Sequence, residues 1–123
     1  MKLSTTKPTI IKTASFFTNL EFSDKSVVIS PMLDSNFGKE IRIAFQEGQV
    51  MKEHKTKFPI TVMTLRGKIE FGVGEEMFVL NEGDVIALEG DVMHELKAIQ
   101  ESVVRLSLHK SDSVERVKGV LKL

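Results

Sequence analysis

Apolar and polar residues alternate along most of this chain with the two-residue period of a half-buried strand. Over Lys39–Gln46, Ile41, Ile43 and Phe45 fall on one face, and Arg42, Ala44 and Gln46 on the other. Ile69, Phe71 and Val73 alternate in the same way against Lys68, Glu70 and Gly72, and Val104, Leu106 and Leu108 against Arg105, Ser107 and His109. Ser26–Leu33 holds the β-branched run Val27-Val28-Ile29, and Pro31 marks it as an edge strand. Ile60–Leu65, Met77–Leu80 and Val85–Leu88 read as further strands. The turns between strands fall at Glu47-Gly48, Gly74-Glu75-Glu76, Asn81–Asp84 and Glu89-Gly90-Asp91.

Two stretches carry histidine. In Met93–Ala98, His94 shares a face with Leu96 and Ala98, which turns it inward. By the same argument His109 points to solvent, and no function is assigned to it. In the strand after Gly48, Val50, Lys52, His54 and Thr56 share one face against Met51, Glu53 and Lys55. That pattern leaves open which face is inside.

The two ends differ from the middle. Residues 1–25 read as an N-terminal arm, polar over 1–9, with Phe16 and Phe17 as its anchors. Near the other end, Asp112-Ser113-Val114-Glu115 reads as a capping box with Asp in the capping position. Val114, Val117, Val120 and Leu121 then recur at helical spacing, so a short helix is expected over 112–121. Many short strands with glycine turns predict an all-β sandwich or barrel, closed to hide its edges, with room inside for a small ligand.

Composition narrows the classes. A chain of 123 residues suits one domain, and 41% apolar content supplies a core. With no cysteine there is neither a disulfide framework nor a thiolate ligand or nucleophile. The 17 basic residues balance 17 acidic ones without a long basic run, so neither nucleic acid nor an anionic membrane is an expected partner. Residues 1–17 carry Lys2, Lys7 and Lys12, of which Lys12 interrupts the apolar stretch there before a secretory core can build, and no run approaches the roughly 18 apolar residues of a spanning helix. A cytoplasmic protein is expected.

The glycine and histidine spacing resembles that of the cupins, a family of small jelly-roll barrels. Gly48 is followed after five residues by His54, and Leu65-Arg66-Gly67 matches the close of the family's first motif. Gly83-Asp84-Val85-Ile86-Ala87-Leu88 and His94 match the second. The resemblance covers residues 40–109 and implies a cupin-like double-stranded β-helix, a jelly-roll barrel with the short C-terminal helix added, as one domain over 1–123. Metal-dependent cupins hold their ion with three His and a Glu. In this chain the second His position falls on Thr56 and the Glu position on Ile60. Glu89 stands where Pro is usual, and Asp91 where Gly is usual.

His54 and His94 are the candidate metal ligands that the resemblance leaves. Two imidazoles without a third ligand predict at most weak binding of a divalent transition metal (Zn, Ni, Cu, Fe or Mn), and no firm cofactor. The expected function is small-molecule binding in an apolar barrel pocket, with His54, Thr56, Ile60, His94 and Lys52 as ligand-binding residues. The alternative is a metal-dependent cupin enzyme, of dioxygenase or isomerase type, with a reduced ligand set. Edge strands and the phenylalanines of the arm predict a homodimer.

Overall fold

The computed structural model describes residues 10–123; the polar stretch expected over 1–9 lies outside them. Among these residues nine strands follow one another: β1 (Val28–Asp34), β2 (Gly38–Phe45), β3 (Val50–His54), β4 (Ile60–Arg66), β5 (Lys68–Val73), β6 (Glu76–Asn81), β7 (Val85–Leu88), β8 (His94–Ala98) and β9 (Ser102–His109). Helix α1 (Val114–Gly119) and a 3-10 turn over Val120–Lys122 close the chain.

The strands form two antiparallel sheets, ordered β1-β2-β9-β4-β7 and β3-β8-β5-β6. The two inner faces meet in a core built on Ile41, Ile43, Phe45, Ile69, Phe71 and Val104, each 2% exposed or less. These are the residues that the alternation placed inward. β1 lies at the edge of its sheet, and its register shifts between Pro31 and Leu33, where proline supplies no N–H to the ladder.

The outer face of β2 departs from the half-buried pattern. Arg42 and Ala44 are buried, 5% and 0% exposed. The arm lies over Arg42. The Arg42 guanidinium donates to the carbonyls of Phe16, Thr18 and Asn19 at 3.2, 2.9 and 3.1 Å. Arg66 sits over the Phe17 ring at 5.1 Å, and Arg105 over Phe16 at 5.8 Å. The two phenylalanines thus anchor the arm on its own sheet through arginine–ring contacts.

Gly67 makes the turn between β4 and β5 at φ 95°, a conformation that side chains disfavour. A Cβ there would also run into Ser102 and the Glu101 carbonyl. No helix among the described residues is long and apolar enough to cross a membrane.

Candidate functional site

β8 delivers His94 to the barrel interior, as its alternation with Leu96 and Ala98 required; His94 is 2% exposed. His54 stands opposite it at the end of β3. The register explains how. Met51 pairs with Leu96, and His54 with His94, so three steps on β3 oppose two on β8. This bulge switches the face of β3 between Met51 and His54. Met51 is therefore buried, and His54 joins it on the inner face.

The bulge corrects the strict alternation expected for this strand, in which Lys52 shares the face of His54. Lys52 is exposed, lies outside the cavity that the histidines line, and donates from Nζ to the Leu123 carbonyl at 3.2 Å. Thr56 lies beyond the end of β3, where strand period no longer governs direction. It is buried, and its hydroxyl donates to Asp112 at 3.3 Å while accepting from the Phe58 N–H at 3.3 Å. Ile60 does line the histidine cavity.

The two imidazoles meet edge to face, with ring centroids 4.3 Å apart and planes at 61°. The Phe71 ring stacks on His94 at 5.5 Å, within 5° of parallel. His54 Nδ1 lies 2.7 Å from the Lys52 carbonyl, and His94 Nδ1 lies 2.8 Å from that of Val92. A carbonyl only accepts, so both Nδ1 atoms carry the proton and both Nε2 atoms keep a free lone pair. Burial drives both imidazoles toward the neutral form, bringing the pKa of His94 down to about 4 and lowering that of His54. The hydrogen bonds to the backbone act against this shift, and the positive charge of Arg116 adds to it.

Arg116 was not foreseen from the sequence. It comes from α1, whose Arg116 and Val117 border the histidine cavity. Val117, 1% exposed, lines the histidine cavity beside Arg116, and only about 10 Å³ of space remains there, at the limit for one water. An ion pair four residues apart, buried on its Asp112 side, braces the start of the helix. Arg116 grips Asp112 bidentately, Nε to Oδ1 at 2.8 Å and a terminal nitrogen to Oδ2 at 2.7 Å. Burial pushes the Asp112 carboxyl up, but its hydrogen bonds to Arg116, Ser113 and Thr56 and the charge of Arg116 outweigh that and hold it below the usual range. The capping residue is Ser113, one later than the sequence pattern placed it, and its hydroxyl accepts from the Arg116 N–H at 3.1 Å. Asp112 is thereby freed to pair with the Arg116 side chain. An Asp–Arg pair four apart was visible in the sequence, but nothing there showed where its helix docks.

A larger hollow, about 390 Å³, opens outward over β4, β7 and β9 beside Pro59, Ala87 and Glu89. Neither imidazole of the pair lines it. His109 does, exposed as expected and stacked on Phe58 at 5.3 Å.

Two facing sheets with an inward His pair at one end define a cupin-type β-barrel. Solved structures agree. An RmlC-like cupin from Desulfovibrio desulfuricans superposes with a TM-score of 0.75 at 19% identity, over 82% of this chain and 98% of that one. A double-stranded β-helix protein from Klebsiella pneumoniae gives 0.74 at 14%, over 84% and 93%. An RmlC-like cupin from Shewanella frigidimarina gives 0.71 at 15%, over 84% and 95%. No protein-family profile and no curated protein sequence matches the chain. The chain therefore has the fold of a small cupin domain.

The residues present do not make a tight metal site. Among the described residues, no third His, Cys, Asp or Glu joins His54 and His94. Thr56 turns its hydroxyl to Asp112, Ile60 is apolar, and a guanidinium borders the cavity. A divalent ion would hold two imidazole ligands and face a fixed positive charge.

Proposed function

We propose that this chain is a cupin-type small-molecule-binding protein. Its ligand has an apolar body and one polar end. The observation that carries this reading is the pair of neutral imidazoles, each with a free Nε2, set among Ile43, Met51, Ile60 and Leu96. Apolar walls with a few convergent polar groups are the usual form of such a site. The polar end would donate a hydrogen bond to one or both Nε2 atoms. A metal-dependent enzyme finds less support, because the ligand set stops at two.

The cavity has room for about one water, so a ligand needs it to open, and α1, which contributes Arg116 and Val117 to its lining, is the element that would move. Hexanol supplies a short apolar body with one hydroxyl and serves as the probe. At millimolar concentration it is expected to shift the imidazole NMR signals of His54 and His94 together with the amide signals of α1, and His94→Leu should abolish the response. Shifts confined to the hollow beside Pro59 and Ala87 would disprove the reading.

We propose further that the chain forms a homodimer. Ile10, Ile11 and Phe37 are 74%, 79% and 85% exposed and gather with Leu33 around one hollow next to edge strand β1. Such an apolar group is suited to a partner. Sedimentation equilibrium at micromolar concentration is expected to give twice the 13.8 kDa of one chain, and Phe37→Asp to give the single-chain mass. A single-chain mass for the unaltered protein would rule the dimer out.

A further inference from the structure

Two neutral imidazoles with free lone pairs in one small cavity are a natural seat for a transition metal. The charged group this chain places there is its own. Arg116 lines the cavity with both histidines, and its charge reaches both rings. It cannot swing away freely, because both prongs of its fork are fixed on Asp112. Asp112 is fixed in turn by Thr56 and by the Ser113 N–H, which donates to Oδ1 at 2.8 Å.

We propose that Arg116 is a built-in cation that excludes metal ions from the His54–His94 pair, and that removing its charge uncovers a metal site. Two effects act together. Removing the guanidinium ends the repulsion of an incoming ion. It also leaves the Asp112 carboxylate buried without its counter-charge, and a buried lone carboxylate draws a cation toward it. The proposal concerns cations and stands whether or not the barrel takes a small molecule.

The test is calorimetric and visible-absorption titration of tag-free protein with Co²⁺. Arg116→Gln is expected to bind Co²⁺ at least tenfold tighter than the unaltered chain, with imidazole-ligated absorption bands and a metal-dependent rise in Tm. Adding His94→Leu should remove the gain. Arg116→Lys keeps the charge and loses the fork, and should bind as weakly as the unaltered chain. Should Arg116→Gln fail to fold, Asp112→Asn with Arg116→Gln removes the unpaired carboxylate as well, and it too should bind tighter than the unaltered chain. Three results would overturn the proposal. One is tight Co²⁺ binding by the unaltered chain. Another is no gain in either charge-removed variant. The third is a gain in Arg116→Lys equal to that in Arg116→Gln, which would assign the effect to opening the helix rather than to charge.

Discussion

Asp112→Ala is expected to lower the stability of the fold by about 3 kcal/mol, the lower end of the cost of breaking a buried ion pair. The lower end applies because the Arg116 side chain remains 27% exposed and so keeps some solvation, whereas that of Asp112 is 3% exposed. The substitution strands the guanidinium and removes the acceptor of both the Thr56 hydroxyl and the Ser113 N–H. Denaturant unfolding measures the loss, which corresponds to a fall in Tm of roughly 10 °C for a domain of this size. Hydrogen exchange should show residues 114–119 losing protection first, because Asp112 both braces the start of the helix through Arg116 and joins it to the barrel through the Thr56 hydroxyl. A loss under about 1 kcal/mol would mean that the pair behaves like one at the surface.

Acidification has an effect of similar size. His94 titrates at about 4 in the folded chain against its ordinary 6.5. Between these values the unfolded chain binds a proton that the folded chain refuses, so stability falls as pH falls. It is complete above about 6.5, declines through the interval, and loses about 3 kcal/mol on reaching pH 4. His54 is lowered too and adds a loss of the same sign. Asp112 acts in the next window down: its carboxyl is held low, so its contribution is present above the unfolded value near 3.9 and disappears as pH drops through the folded one. Unfolding free energies measured from pH 8 to pH 3 should show both declines, and His94→Leu should flatten the upper one. A flat profile between pH 6.5 and 4.5 in the unaltered chain would show that His94 is hydrated and protonated normally.

Much of the fold could be read from period alone. β8 keeps strict alternation, and the inner residues of β2 and β9 are where the two-residue period put them, although neighbours on the other face of both strands are buried as well. The inward turn of His94 was legible for the same reason. The orientation of its neighbour was not, because a bulge adds a residue without any mark in the composition, and Lys52 and His54 then part faces. Arg42 looked like a solvent-facing residue because the arm that covers it lies more than twenty positions away. Helix α1 announced itself through Val114, Val117 and Val120, yet periodicity reports only that a face is buried. That it is buried against the histidines is a matter of tertiary docking.

The placement of Val117 makes any ligand of this barrel a competitor of a tethered rival. The helix never diffuses away, so the affinity observed from solution is the intrinsic affinity multiplied by the fraction of time the mouth stands open. A mouth open one part in a hundred would weaken every ligand a hundredfold. The set point of that fraction belongs to the contacts that dock the C-terminal segment on the barrel, the Thr56–Asp112 hydrogen bond and the burial of Val117 among them, and each ~1.4 kcal/mol changed in them would retune binding tenfold. Affinity in this chain can therefore drift through substitutions in the C-terminal segment while the barrel interior stays as it is.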